Sequence, residues 1–259
     1  MTERIAGVVA VAVLIAIVIA PIALSQMGQE QPTVYTFVSQ FQVPRANWAQ
    51  YSENTDKTFV PIAEKLVADG TILSYSTFET IVHTPEGYTH GAAWSSATIS
   101  GLTKVLDEVR KAGPPQPGQI AATKHEDLLM QTSMYTMGTG GGKDAYLRVV
   151  CANAKPEKPE GYAAALKKYL WPAFEDQVKK GVASYVGLDS QYVNTSAPSL
   201  RCLVITFPNA ESMDKWAAAI GGTLAKMSAA DRDAFFGSSV ADSRRDFMAR
   251  ITHSGAAHK

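Results

Sequence analysis

The sequence predicts an α+β protein built from two consecutive β-α-β-β-α-β units behind an N-terminal hydrophobic helix. Three observations lead to this prediction. An uncharged apolar run occupies residues 5–24. The segment that begins at Tyr35 matches the segment that begins at Tyr146, about 111 residues further on. The order of strand-like and helix-like periodicities is the same in both segments.

The composition and charge of the chain exclude several classes of protein function. The chain has 259 residues, 46% of them hydrophobic, and 24 Lys and Arg against 24 Asp and Glu. This apolar content supports a packed core and excludes a mainly disordered chain. The balanced charge excludes a broad nucleic-acid-binding surface, which needs an excess of Lys and Arg. Two cysteines are too few for a disulfide scaffold or a four-cysteine zinc site. We expect no cofactor.

The apolar run at residues 5–24 is long enough to cross a bilayer as a helix. Arg4 precedes it, and Ala23-Leu24-Ser25 resembles a cleavage site. We predict that residues 1–25 are a signal peptide, with an uncleaved signal anchor as the alternative. Either interpretation places the protein outside the cytoplasm, periplasmic or secreted. If the segment is not cleaved, residues 5–24 are the only part of the chain that we expect to contact the membrane. Residues 26–33 form a polar tether.

The internal repeat divides the rest of the chain. Identical residues at shifted positions include Tyr35 and Tyr146, Pro61 and Pro172, Glu64 and Glu175, and Gly70 and Gly181. We predict a first unit at residues 34–138, a Gly-rich linker at 139–145, a second unit at 146–254 and a tail at 255–259. The linker is flexible because glycine has few backbone restrictions.

Each unit shows the same succession of β-rich runs and amphipathic stretches. Strands are predicted at 35–43, 71–83, 90–97 and 130–137, and at 146–154, 182–193, 200–207 and 244–252. Helices are predicted at 48–69 and 100–111, with a short helical stretch near His125, and at 162–180 and 211–221. Gly70 and Gly181 suit helix C-caps, whereas Ser100 and Asn209 suit N-caps.

By this element order and repeat length, residues 33–254 resemble the dimeric α/β-barrel superfamily of ferredoxin-like domains, with two copies fused in tandem. The resemblance implies that two four-stranded sheets close into an intramolecular pseudo-dimeric barrel, as a monomer or a higher oligomer. The superfamily includes cofactor-free monooxygenases, haem-degrading enzymes and haem-binding chlorite-dismutase-like proteins. It also implies a ligand position between a sheet and its helices.

His83 and His90 flank a predicted hairpin turn in the first unit. Three interpretations stand beside each other: a solvated hairpin, a ligand pocket that uses His90 with Trp94, or a metal site. Trp94 and Tyr75 lie on predicted strands, where they line a cavity or simply fill the core. We take His83, His90, Trp94 and Tyr75 as candidate ligand-binding residues and predict no metal.

Two further groups carry structural interpretations. Met130, Met134 and Met137 follow His125, but their spacing favours core filling over a copper site. Cys151 and Cys202 fall on predicted neighbouring strands, so they form either a disulfide or two buried thiols.

The leading functional prediction is a non-catalytic module that binds a small apolar or aromatic ligand or a protein partner. The alternative is a cofactor-independent monooxygenase-type enzyme, in which a polar group such as His90 moves a proton in a pocket of the first unit. The resemblance also implies haem binding, but the second unit offers only His253 and His258 as axial ligands. Their position at or beyond the last predicted strand argues against a haem.

Overall fold

The computed structural model describes residues 32–82, 87–115, 117–157, 161–193 and 199–257. The predicted signal segment at 1–25 and most of the predicted tether lie outside the described residues, as do His83 and His258. Among the residues that are described, no helix is long and apolar enough to cross a membrane.

The described chain is α+β. Its strands are β1 (Val34–Gln42), β2 (Ser74–Val82), β3 (His90–Ser96), β4 (Lys124–Met137), β5 (Tyr146–Asn153), β6 (Tyr185–Val193), β7 (Leu200–Phe207) and β8 (Arg245–Ala256). Its helices are α1 (Trp48–Asn54), α2 (Val60–Ala68), α3 (Ile99–Lys111), α4 (Pro117–Ile120), α5 (Gly161–Tyr169), α6 (Trp171–Lys179), α7 (Ala210–Lys226) and α8 (Ala229–Phe236). A 3-10 turn at Arg45–Asn47 precedes α1, and a π turn at Thr55–Phe59 joins α1 to α2.

The strands form a closed antiparallel barrel in the order β1-β3-β2-β8-β5-β7-β6-β4. Strands β1 to β4, called here the first half, are therefore adjacent in the order β4-β1-β3-β2. Strands β5 to β8, the second half, follow in the order β8-β5-β7-β6. The halves meet at two joints, β2 with β8 and β4 with β6. Closure gives each strand of the barrel a hydrogen-bonded neighbour on both sides.

The core has three parts because alternate strand residues face opposite sides of the sheet. Tyr75 and Trp94 belong to a cluster between the first half's strands and α2 and α3. Phe174 and Trp216 belong to the equivalent cluster between the second half's strands and α6 and α7. Phe78 lies on the opposite face of β2 from Tyr75, in a third cluster that fills the barrel interior.

The helix predicted at 48–69 is interrupted by the π turn. Pro61 is at the start of α2 and has no N–H to donate to the preceding turn, which favours a local widening of the helix. The hydroxyl of Thr55 also donates to the Tyr51 carbonyl at 2.9 Å, within the same segment.

Three local predictions are wrong. The residues around His125 are not helical, because β4 begins at Lys124 and pairs along β1 up to Gln42; the short helix is α4 instead.

The N-cap of α3 is Thr98, whose Oγ1 accepts from Gly101 N at 3.1 Å, rather than Ser100. The helix predicted at 162–180 is two helices that meet at Leu170. Asn209 does cap α7, accepting from Ser212 N at 2.9 Å.

Candidate functional site

A half-open cavity of about 230 Å³ lies where α1 and the π turn cross the β2–β8 joint. It is lined by Tyr51, Ser52, Thr55 and Asp56 of the helical wall, by Thr77, Phe78, His90 and Gly91 of β2 and β3, and by Lys143, Asp144, Arg250, Ile251, Thr252 and His253. Pockets for drug-sized ligands hold roughly 300–1,000 Å³, so this cavity suits a small molecule.

His90 is a buried polar side chain of this cavity, with only 3% of its surface exposed. It is the first residue of β3, and the Trp48 and Tyr51 rings of α1 lie 5.0 and 4.8 Å from the imidazole, centroid to centroid. Its Nδ1 lies 2.9 Å from the Thr89 hydroxyl. Imidazole exchanges protons near neutral pH, so His90 provides the cavity with a group able to accept or donate a proton.

Two neighbours of His90 bear on its chemistry. Glu79 is its direct cross-strand partner on β2, and Oε2 of Glu79 lies 3.8 Å from Nε2 of His90. Burial raises the pKa of the Tyr51 phenol well above its usual range, so Tyr51 stays uncharged and presents only a neutral ring and hydroxyl. Tyr51 therefore offers the cavity a neutral hydroxyl and no negative charge.

A second group of polar side chains lines the cavity on β2, β8 and the π turn. The hydroxyls of Thr77 and Thr252 are 2.6 Å apart, and Thr77 Oγ1 is 3.4 Å from Nδ1 of His253. Asp56 of the π turn approaches the same Nδ1 at 3.5 Å. Asp56 comes from the π turn, Thr77 from β2, and Thr252 and His253 from β8. Both halves of the chain therefore contribute to the site.

Tyr75 and Trp94 do not line this cavity. Trp94 donates from Nε1 to the Leu102 carbonyl at 3.2 Å and stacks on Phe37 at 4.7 Å between ring centroids. The Tyr75 hydroxyl faces Glu64 of α2 at 3.4 Å, and burial, together with that carboxylate, raises the pKa of Tyr75 to about 12. Both side chains pack in the helix-facing core. His83 lies outside the described residues.

The methionines predicted to fill the core occupy three different environments. Met130 is buried inside the barrel, Met134 packs against the helix-facing core of the second half, and Met137 is exposed. Met130 and Met134 face opposite sides of the sheet despite their even spacing, because a register shift between Thr132 and Met134 reverses the alternation.

His125 has a serine and an aspartate nearby but no catalytic triad. Both the Ser39 hydroxyl and the Asp127 carboxylate approach Nε2 of His125, each at 2.9 Å. A triad needs the nucleophile and the carboxylate on different ring nitrogens, so this arrangement cannot relay a proton from Ser39.

Cys151 and Cys202 are direct partners on β5 and β7 and form a disulfide with an S–S distance of 2.08 Å. Both side chains belong to the cluster inside the barrel. The disulfide is on the opposite face of the sheet from the helices and does not line the cavity.

Several lining residues had no signal in the sequence. Lys143 and Asp144 belong to the segment predicted as linker, and Arg250 and Thr252 to a strand without a motif. Asp56 lies inside a predicted continuous helix. Only the three-dimensional meeting of β2 with β8 brings these residues beside His90, so no spacing along the chain could have indicated them.

No family model matches the sequence, and no curated protein matches it. The fold, in contrast, is similar to solved structures. A proposed monooxygenase from Fusobacterium nucleatum gives a TM-score of 0.64 at 10% identity, covering 88% of this chain and 96% of that chain. An anthrone oxidase-like protein gives 0.56 at 12%, covering 89% and 95%. A mutant chlorite dismutase from Candidatus Nitrospira defluvii gives 0.51 at 13%, covering 83% and 90%.

These neighbours are of the dimeric α/β-barrel type, and the chain shares their fold. At this level of identity the likeness establishes the fold alone. Within the described residues, no group of three or more His, Cys, Asp or Glu side chains is placed to hold a metal ion.

The residues of the second half do not fit a haem between its sheet and its helices. That space is filled by a continuous aromatic core in which Phe174 stacks on Trp216 at 5.0 Å and Phe207 meets Trp216 at 5.6 Å. His253, the one histidine described in the second half, points away from this core toward Thr77 and Asp56.

Proposed function

We propose that the protein binds a small apolar or aromatic molecule in the cavity beneath α1, with His90 as its central polar contact. The observation that carries this proposal is a buried imidazole on the wall of a ligand-sized cavity, held between two aromatic rings. The cavity walls are more apolar than polar. Apolar walls with a few placed polar groups are typical of small-molecule sites.

The test uses 2-naphthol within a panel of one- and two-ring aromatics, with binding measured by calorimetry. We expect saturable binding to the wild type and a loss of about tenfold in affinity for His90→Ala, the equivalent of one good hydrogen bond. His125→Ala is the matched control, because His125 is an exposed histidine of the same half. If no aromatic binds, or if both variants bind as wild type does, the proposal is wrong.

A second candidate function is cofactor-independent oxygenation of an electron-rich aromatic substrate. Two observations favour it: His90 lies buried in the cavity, and structural neighbours are named as a proposed monooxygenase and an anthrone oxidase-like protein. In this function His90 accepts a proton from the substrate, and the resulting anion transfers electrons to O₂. With anthrone, one O₂ is consumed, one carbonyl forms at the methylene carbon, and one water is released.

Oxygenation is tested by incubating the protein with anthrone in air and measuring O₂ consumption and anthraquinone formation together. We expect one O₂ per anthraquinone and loss of turnover in His90→Ala, with His125→Ala unaffected. A protein that binds 2-naphthol but does not accelerate anthrone oxidation supports the binding function and excludes this second one.

We also propose that the protein is exported. The apolar segment at 5–24 and the Cys151–Cys202 disulfide support this proposal, since disulfides persist in oxidising compartments. Cell fractionation with thiol labelling tests it. Both cysteines should resist labelling in an extracytoplasmic fraction, and a cytoplasmic protein with two free thiols would contradict it.

Finally, we propose that the halves are tandem copies of one unit that form a pseudo-dimer within a single chain. The shared strand order and the offset of about 111 residues support the duplication. A closed barrel needs no second chain, so light scattering should give the mass of one chain, 27.8 kDa before any processing. A stable dimer mass would contradict the monomeric form.

A further inference from the structure

Two backbone irregularities face each other across the cavity. The π turn at Thr55–Phe59 forms one wall, and the pairing of β2 with β8 shifts register between Thr77 and Phe78 on the other. Single π turns and β-bulges are both frequent at functional sites, where they redirect side chains. Here the contact between Asp56 and His253, 3.5 Å from Oδ1 to Nδ1, joins them directly.

The bulge has a specific effect on β8. In a regular strand, consecutive side chains point to opposite faces, so only one of Thr252 and His253 could contact a given neighbour. In this structure both residues reach the hydroxyl of Thr77, at 2.6 Å and 3.4 Å. The bulge thus brings two polar side chains to one wall of the cavity. Thr77 itself is only 2% exposed.

This arrangement gives the cavity two separate polar ends. His90 is on β3, and His253 is on β8, with β2 between them. Two strand spacings separate their backbones by roughly 10 Å. On the solvent side Arg250 pairs with Asp144 at 3.2 Å and Asp56 lies beside His253, whereas Lys143 has no ion pair among the described residues. The hydroxyls of Thr77 and Thr252 are uncharged donors and acceptors, so they suit an uncharged oxygen.

We infer that Thr77, Thr252, His253 and Asp56 form a second polar subsite, which binds a hydroxyl or carbonyl oxygen at the end of the ligand opposite His90. The ligand class is a planar aromatic molecule with oxygen substituents at both ends. Thr77 and Thr252 supply hydroxyls that both donate and accept. Asp56 holds the His253 ring in place, and is a positioning residue. The inference rests on the proposed binding function of the same cavity.

The test compares 2-naphthol, which has one hydroxyl, with 2,6-dihydroxynaphthalene, which has one at each end. We expect wild type to bind the diol three- to tenfold more tightly, as one added hydrogen bond implies. Thr77→Val and His253→Gln should remove this preference, so that the diol binds no more tightly than 2-naphthol. His90→Ala should weaken both ligands. Asp56→Asn should reduce the ratio of diol affinity to 2-naphthol affinity.

Thr80→Val is the matched control, because Thr80 is a buried threonine of the same strand that does not line the cavity. Circular dichroism and thermal melting establish that each variant is folded. Equal affinity of wild type for the two naphthols overturns the subsite and leaves the binding function intact, as does a diol preference that survives both Thr77→Val and His253→Gln. Failure of both naphthols to bind contradicts the binding function and this inference together.

Discussion

The hydroxyl of Thr132 donates a hydrogen bond of 2.7 Å to Oδ1 of Asp189, across the β4–β6 joint that closes the barrel. Asp189 is also the direct partner of Cys202 on its other side. A carboxyl group is thus buried inside the barrel, in one row with the disulfide. Burial raises the pKa of Asp189 to about 6, and the hydrogen bond from Thr132 opposes that rise.

Asp189 should make folding stability fall with rising pH. The folded protein holds this proton more tightly than the unfolded chain, where the pKa is near 3.8. Stability is therefore lost between about pH 4 and 6 and stays lower above that range by about 3 kcal/mol. Urea unfolding from pH 4 to 8 should show this loss for wild type and for Asp127→Asn, an exposed control. Asp189→Asn should lack it, and an unchanged pH profile in that variant would contradict the assignment.

Reduction of the Cys151–Cys202 disulfide should destabilise the protein. The bond closes a loop with a sequence separation of 51 residues, and loop-closure entropy alone gives about 4 kcal/mol, with typical measured effects of about 2–4 kcal/mol. Urea unfolding with and without a dithiol reductant measures this difference. The double variant Cys151→Ala/Cys202→Ala should show no response to the reductant, whereas a wild type that is equally insensitive would contradict the prediction.

Gly91 should not tolerate a side chain. A Cβ at this position would lie 2.8 Å from the Ser39 carbonyl oxygen and closer still to the Phe78 ring. The Ser39 backbone cannot move aside without disturbing β1, so we expect Gly91→Ala to lower the free energy of unfolding by about 1–3 kcal/mol. Gly222→Ala, on α7 with nothing within 4 Å of the new atom, should instead stabilise by about 0.5–1 kcal/mol. Similar effects in both variants would contradict this contrast.

Trp94 should affect stability but not ligand binding. Trp94→Phe loses the hydrogen bond to Leu102 and some buried volume, so we expect a loss of about 1–2 kcal/mol in unfolding free energy. The affinity for 2-naphthol should equal that of wild type, because Trp94 does not line the cavity. Chemical denaturation and calorimetry on one preparation measure both effects. A weaker naphthol affinity with unchanged stability would reverse the assignment.

The sequence predicted much of the fold because strand and helix patterns are local. The run from Leu200 to Phe207 is predicted and observed as β7 with the same bounds, and the cap at Asn209 follows from its side-chain chemistry. The π turn is not visible in periodicity, because Pro61 also fits the first turn of an ordinary helix. The strand at His125 was missed because its pairing with β1 is a long-range contact.

The candidate site was predicted only in part, for a physical reason. The sequence indicates His90 by its place beside a predicted hairpin and groups Trp94 with it in one candidate pocket, and strand alternation places the two residues on one face of β3. They do share that face; α2 and α3 cover Trp94, whereas α1 and the π turn leave space beside His90. Which helix covers which strand residue depends on tertiary packing. The placement of Thr252 and His253 beside Thr77 depends in addition on a β-bulge, which no residue type in the sequence requires.

The joint between β2 and β8 gives ligand binding a consequence for the motions of the barrel. The proposed ligand contacts His90 of the first half and His253 of the second, so it would hold together the joint where they meet. By mass action it raises the free energy of opening there by RT ln(1 + [L]/Kd). Amide hydrogens along β2 and β8 should then exchange more slowly with deuterium when ligand is present, while those at the β4–β6 joint keep their rates. Opening of the barrel at this joint would therefore become less frequent as the ligand concentration rises.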